Sequence, residues 1–342
     1  MATLAEIASR AGVGIGTVSR VLSGSANVSD AMRARVTAAA DELGYERPSR
    51  RKARNGASDG LVGVLVAFFD APSVQQRFAG LVPRLQANGL HMVLYNVVSP
   101  AQAREVLGEL PRSSHLDGLV VVSLPLDADD VSRLRRSGLP TVLLDSSVDG
   151  LSSVSIDDRE GGRMATQHLL DLGHRRIGFV GEPGDNPFGF VSSARREDGY
   201  RDALVAAGVD PDPRYVRHGA HLRQAAKQMG LDLLSLDEPP TAIVASSDVQ
   251  AIGVLEAAGQ RGLRVPDDLS VVGYDDIDLA APMGLTTVRQ PLERSGARAA
   301  DLVVSAIGTP GATVASVPSQ RAHFDEQMDL ELVARTTTRP PR

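Results

Sequence analysis

Apolar positions in the first 45 residues recur at helical spacing, whereas from Leu61 onward they gather into short continuous runs. Leu4, Ile7 and Ala8 give one apolar face to a helix that starts at Thr3, with Glu6 at the capping-box position. Gly12 ends it, because a residue without a Cβ takes φ > 0 freely. A second helix follows from about Ile15 to Leu22, with Val18, Val21 and Leu22 inward and Thr17, Ser19 and Arg20 directed elsewhere. Two short helices about a glycine turn predict a helix-turn-helix, whose second helix fits a DNA major groove. A third helix is predicted over 29–44, capped by Ser29, with Val36, Ala40 and Leu43 inward and Gly44 closing it. Residues 1–46 thus read as a three-helix headpiece, and the basic, then Gly/Ser/Asp-rich segment 47–60 as a hinge or linker that touches phosphate.

Beyond this point the pattern alternates. Apolar runs at 61–67, 91–97, 117–123, 141–145, 176–181, 241–246 and 269–274 are separated by helical stretches such as 74–88, 160–172, 194–207 and 247–261. Near-continuous apolar strands alternating with helices predict an α/β body of doubly wound, buried parallel sheets. About 280 residues exceed one such sheet, and the break at 157–162 (IDDREGG) divides the body into two similar lobes. In sheets of this kind ligands bind beyond the carboxyl ends of the strands, which meet at a cleft when two lobes face each other.

Charge sharpens this division. The chain has 342 residues, no cysteine and a formal charge of −6. Residues 1–60 hold nine Lys/Arg and six Asp/Glu, so the head carries +3 and the remainder −9. A basic head on an acidic body fits DNA binding by the head. Without cysteine there are no disulfides, cysteine-ligated metals or cysteine nucleophile, which suits a reducing cytoplasm. No signal peptide and no membrane span are expected.

Catalytic motifs do not assemble. Gly12-Val13-Gly14-Ile15-Gly16 follows a helix, not a strand, so it fails as a dinucleotide loop, and Gly178 to Gly184 has the wrong spacing with Pro183 interrupting the helix start. His218 and His221 read as surface residues, and no metal or cofactor is expected. The pairs Asp157-Asp158, Asp267-Asp268 and Asp275-Asp276 follow strands, but adjacent residues on a strand point opposite ways, so none of the three forms an acid–base set. Asp275, directly after an apolar strand, and Arg196, beginning a helix after the 182–193 loop, read either as ligand grips or as a helix-capping aspartate and a surface arginine.

Longer motifs carry a resemblance. TLAEIASRAGVGIGTVSRVLSGSANVS followed by RVTAAADELGY resembles the headpiece of the lactose-repressor (LacI/GalR-type) transcription factors. HLLDLGHRRIGFVGE (168–182), RVPDDLSVVGYDDIDLA (264–280) and LTTVRQPLERSGARAADLV (285–303) resemble the same family's effector-binding core. The similarity runs from Thr3 to about Arg335. It implies a homodimer, sometimes a tetramer, that reads a pseudo-palindromic operator in double-stranded DNA. It also implies a core like the periplasmic sugar-binding proteins, with three crossings between lobes near 157–160, 289–291 and 317–320. The N-terminal lobe would then hold 61–158 and 291–317, and the C-terminal lobe 159–290 and 318–342. A sugar or nucleoside derivative in the cleft would alter operator affinity, more often as a repressor's signal. A solute-binding protein of the same core is the alternative, but it would lack the headpiece.

Carried over by motif, Ile15 and Gly16 occupy base-reading positions and Arg20 a frequent base contact; Arg to guanine is the commonest specific pair. Thr17, Ser19, Ser23, Asn27 and Ser29 match phosphate-contacting positions. Gly14 stands where Ser or Thr usually caps the recognition helix. In the hinge, Arg50, Arg51, Lys52 and Arg54 contact DNA, and the minor-groove wedge position falls on Asn55, a poor intercalator, so the hinge is expected to bind electrostatically. In the cleft the resemblance makes Arg196 and Asp275 effector contacts, with Phe69, Asp70, Ser123, His221 and Ser247 as lining.

Overall fold

A computed structural model describes residues 3–22, 28–43, 60–113, 115–308 and 323–342. The expectations placed on Ser23, Asn27, Gly44, Arg50, Arg51, Lys52, Arg54 and Asn55, and on the side chain of Leu22, lie outside the described residues.

The headpiece has α1 (Leu4–Ala11), α2 (Ile15–Leu22) and α3 (Asp30–Glu42). Thr3 and Glu6 form the reciprocal capping box, and Gly12 closes α1 at φ 62°. Ile7, Ala8, Ala11, Val18, Val21, Val36, Ala39 and Ala40 make its core. Leu43 does not join them: it is exposed, and Ala39 takes the inward position one turn earlier. Arg35 fixes the turn, its Nη2 donating to the carbonyl oxygens of Ala11 at 2.5 Å and Gly12 at 3.2 Å. Those are carbonyls that the end of a helix leaves without internal partners.

The body alternates strand and helix. Its first part runs β1 (Leu61–Ala67), α4 (Pro72–Ala87), β2 (His91–Val97), α5 (Pro100–Glu109), β3 (Gly118–Val122), α6 (Ala128–Ser137), β4 (Thr141–Leu144) and β5 (Ser152–Ile156). The second part runs α7 (Asp158–Asp171), β6 (Ile177–Gly181), α8 (Ser192–Ala206), β7 (Val216–His218), α9 (Arg223–Leu233), β8 (Ala242–Ala245), α10 (Asp248–Gln260), β9 (Ser270–Asp275) and β10 (Thr286–Arg289). Then come α11 (Leu292–Ile307), β11 (Asp325–Met328) and β12 (Glu331–Val333).

Two six-stranded sheets result, ordered β11-β5-β4-β3-β1-β2 and β12-β10-β9-β8-β6-β7. All pairings are parallel except β10 with β12. Each sheet buries both faces, because alternate residues of one strand serve opposite layers. Val62, Val64 and Val66 of β1 pack under α4 and α11, while Leu65 and Ala67 join the α5 and α6 layer. The second sheet divides likewise between two cores.

The chain passes between lobes at Asp157, at Gln290-Pro291 and at Asp329-Leu330. The first two passages fall where expected. The third falls later than 317–320, since β11 pairs in parallel with β5 and so belongs to the N-terminal lobe. Residues 323–342 therefore serve both lobes. DEQM carries no apolar run, and only its partner strand makes it a strand.

Candidate effector cleft and recognition helix

Among the described residues, five non-glycine residues have φ between +56° and +117°: Phe68, Ser123, Asp145, Asp275 and Asp276. Each stands at the carboxyl end of a strand or directly beyond it (β1, β3, β4 and, twice, β9). Strain of this kind persists only where surrounding structure holds it, and it concentrates at functional sites.

Arg196 is the centre of the C-terminal wall. It is 7% exposed on α8. Its Nε and Nη2 both lie 2.8 Å from Asp158 Oδ1, and Nη1 donates to the Ser246 carbonyl at 2.5 Å. Its guanidinium carbon lies 3.7 Å above the Tyr274 ring, and Nη1 stands 3.9 Å from Asp275 Oδ1. Burial opposes the arginine's charge, but Asp158, Tyr274 and Asp275 outweigh it and raise its pKa. Burial pushes Asp158 upward against the pull of Arg196. Gly162 makes this geometry possible: a Cβ there would lie 2.0 Å from the Arg196 carbonyl oxygen.

Asp275 is 5% exposed. Its Oδ1 accepts from Gln290 Nε2 at 2.6 Å. Burial raises its pKa, opposed by the charges of Arg196, His221 and Arg77. Behind it Asp248 is fully buried, accepting from Thr287 Oγ1 at 2.6 Å and from the Ile277 amide at 2.9 Å. Burial and the neighbouring Asp275 push Asp248 up to about 8 despite those donors. Asp276 turns the other way, into Arg289 and Arg335, so adjacent carboxylates do diverge.

The N-terminal wall holds Ser123, whose Oγ donates to Asp145 Oδ2 at 2.7 Å. Asp145 in turn pairs with Arg77 of α4. Phe68 and Phe69 project from the loop after β1, 52% and 46% exposed, and Asp70 is exposed beside them. Phe68 meets Phe188 and Phe190 of the 182–191 loop at ring distances of 5.4 and 6.2 Å, so an aromatic cluster spans the lobes. Asn186 braces that loop, donating to the Pro183 and Phe190 carbonyls and accepting from the Phe190 amide.

Not every expected residue lines the cleft. Ser247 is entirely buried and caps α10, its Oγ accepting from the Gln250 amide at 3.2 Å. Its hydroxyl is consumed by the helix. His221 is exposed, with Nδ1 3.1 Å from Glu182 Oε2. Asp158, Arg77, Asp145, Gln290 and the pair Phe188/Phe190 escaped the sequence reading. Of these, Asp158 lay inside a noted carboxylate pair and Gln290 inside the TVRQP stretch, whereas a buried arginine on α4 leaves no periodic signal.

On the headpiece, Ile15, Gly16, Ser19 and Arg20 are exposed along one side of α2, and Thr17 is half-buried. The Gly14 carbonyl accepts from the Thr17 and Val18 amides, so Gly14 is the N-cap without a capping side chain. A Cβ on Gly16 would lie 3.7 Å from Arg20 Nη2, placing the arginine head across the glycine. Ser29 is exposed, and its carbonyl accepts the first amides of α3.

Among the described residues no helix is long and apolar enough to cross a membrane. The fold and site define a helix-turn-helix head joined to a two-lobed core with a polar cleft. Residues 3–48 match the bacterial regulatory proteins of the lacI family, and residues 166–338 match the periplasmic binding protein-like domain. The chain is 35% identical over 316 residues to the HTH-type transcriptional regulator CelR of Thermobifida fusca, covering 89% of this chain and 92% of CelR. A solved CelR–cellobiose complex superposes with a TM-score of 0.71 at 32% identity, covering 98% of this chain and all of that one. The lac repressor dimer bound to operator and the anti-inducer ONPF gives 0.70 at 26% identity, with 99% of each chain covered. The chain belongs to the lacI family of bacterial regulatory proteins and is a helix-turn-helix transcriptional regulator.

Proposed function

We propose that the protein is a repressor that releases or tightens its hold on a pseudo-palindromic operator when a sugar enters the cleft. The observation that carries this reading is the pairing of Arg196 on α8 with Asp275 at the end of β9, opposite Ser123 and Asp145. The donors of Arg196 are largely occupied by Asp158 and Ser246, and the Ser123 proton goes to Asp145. The cleft thus offers mainly acceptors, which suit a neutral ligand rich in hydroxyl donors. Phe68 and Phe69 add apolar faces for the C–H side of a sugar ring. Cellobiose bound to the related CelR favours a glucoside over a nucleoside.

On DNA, Arg20 and Ile15 read bases, Gly16 leaves room for the arginine, and Thr17, Ser19, Ser23, Asn27 and Ser29 hold phosphates. Arg50, Arg51, Lys52 and Arg54 add electrostatic affinity from the hinge. The lac repressor dimer on its operator supports a homodimer as the working unit. The ligand acts only through unequal affinity for the two lobe arrangements, and DNA affinity reports that difference by linkage. The test is a gel shift on a palindromic site selected from random DNA, repeated with cellobiose, maltose and a nucleoside set. A specific shift changed by a glucoside supports the reading; no specific DNA binding with any of these present overturns it.

A further inference from the structure

Arg77 is 3% exposed on α4, an arginine in the interior of the N-terminal lobe. An apolar side chain of the same length would fill that space without the cost of burying a charge. Its contacts supply a reason for the charge. Nη2 donates to Gln290 Oε1 at 2.8 Å, and the guanidinium pairs with Asp145. Gln290 stands in the passage between β10 and α11, one of the three segments that pass between the lobes among the described residues. With its oxygen occupied by Arg77, its amide NH2 must face the other way, and there it meets Asp275 Oδ1 at 2.6 Å. The Gln290 amide N–H also donates to the Asp275 carbonyl at 3.2 Å.

Arg77 and Asp275 fix the two ends of this chain of hydrogen bonds. An arginine only donates, so Asp145 and Gln290 Oε1 must accept from it, and Gln290 must then donate to Asp275. Ser123 likewise gives its proton to Asp145. With an apolar side chain at 77, Gln290 Oε1 loses its donor and the side chain is no longer held with its NH2 against Asp275. We propose that Arg77 is a positioning residue for the effector site, acting through Gln290 to present Asp275 as a fixed acceptor and to tie the N-terminal lobe to the passage at Gln290. The proposal rests on Asp275 being the effector contact, and it adds a buried residue from the opposite lobe to the determinants of hydroxyl recognition.

A thermal double-mutant cycle on the ligand-free full chain at pH 7 tests the relay directly. The midpoint shift caused by Asp275→Asn is expected to differ between the Arg77 and Arg77→Met backgrounds by at least about 2 °C. That difference should vanish when Gln290→Met is also present. Coupling that persists without Gln290 means that Arg77 acts on Asp275 directly and overturns the relay. Should Arg77→Met fail to fold, Arg77→Gln, which is neutral and no longer an obligate donor, takes its place in the same cycle. The second measurement is calorimetric titration with cellobiose and maltose. Arg77→Met is expected to weaken binding about tenfold, with no further loss in Arg77→Met/Gln290→Met. Independent losses that multiply overturn the relay; no binding of either sugar to the unaltered protein counts against the sugar reading, and the thermal cycle then judges Arg77 alone.

Discussion

Gly162 and Arg196 meet backbone to backbone: a Cβ on Gly162 would stand 2.0 Å from the Arg196 carbonyl oxygen. Gly199 makes the reciprocal approach, where a Cβ would lie 1.9 Å from the Arg159 carbonyl oxygen. Helices α7 and α8 therefore cross at glycine contact distance. That distance brings Asp158, the first residue of α7, within 2.8 Å of the guanidinium on α8. The site's main ion pair is set by helix packing, not by loop flexibility.

Gly162→Ala should accordingly separate the two helices. The expected cost is about 1–3 kcal/mol, the range for inserting a methyl into a packed interior. Urea unfolding of the full chain measures it. The same substitution should weaken sugar binding without touching the sugar, and a variant as stable as the parent would show that the helices can part freely.

Removing the arginine head is more severe. Arg196→Ala leaves Asp158 buried without its partner and is expected to cost about 3–5 kcal/mol. Asp158→Asn with Arg196→Ala should recover part of that loss, because no lone carboxylate then remains inside. Asp275→Asn is milder, since Asp275 touches Arg196 only at 3.9 Å. Thermal-shift titration should show a folded protein that no longer responds to sugar, while gel shifts show operator binding largely kept.

The different legibility of these parts has a physical cause. Strands β1, β2, β3, β4, β6, β8 and β9 lie within a residue or so of their apolar runs, because strands covered on both faces need continuous apolar side chains. SSVSI, TTVR, DEQM and ELV were not legible: DEQM and ELV are edge strands, SSVSI and TTVR lie next to them, and each is defined by what it pairs with. In the site, Asp275 and Arg196 could be read because position after a strand and motif both pointed to them. Arg77, Asp145 and Gln290 meet only after folding, from three separate segments, and their pattern has no period.

Asp248 gives a pH signature. Its carboxyl is raised from 3.8 to about 8 by burial and by Asp275. Between those values the folded chain binds a proton that the unfolded chain has lost, so stability falls as pH rises through the window. Asp248→Asn removes that titration. Relative to the parent, its unfolding free energy should climb between about pH 4 and 8, by at most about 1.4 kcal/mol per pH unit. A difference that stays flat across the window would mean that Asp248 is ionised throughout, held by the Thr287 hydroxyl and the Ile277 amide.

The recognition helix offers a separable pair of outcomes. Gly14 caps α2 with its carbonyl alone, and a Cβ at Gly14 would meet nothing within 4 Å. Gly14→Ser therefore fits, and its hydroxyl should satisfy one free amide for a gain of a few tenths of a kcal/mol. The thermal midpoint of the headpiece transition should rise slightly, with sequence preference unchanged. Arg20→Ala should do the opposite, leaving stability near that of the parent. Discrimination against a wrong base at one operator position should fall by about 1–3 kcal/mol, as expected for a bidentate contact. Neutralising Arg50 should instead weaken all sequences alike and reduce the salt slope of binding by about 1. Competition gel shifts over a salt series distinguish the two, and an Arg20→Ala protein with unchanged preference would move base reading to Ile15 or to the hinge.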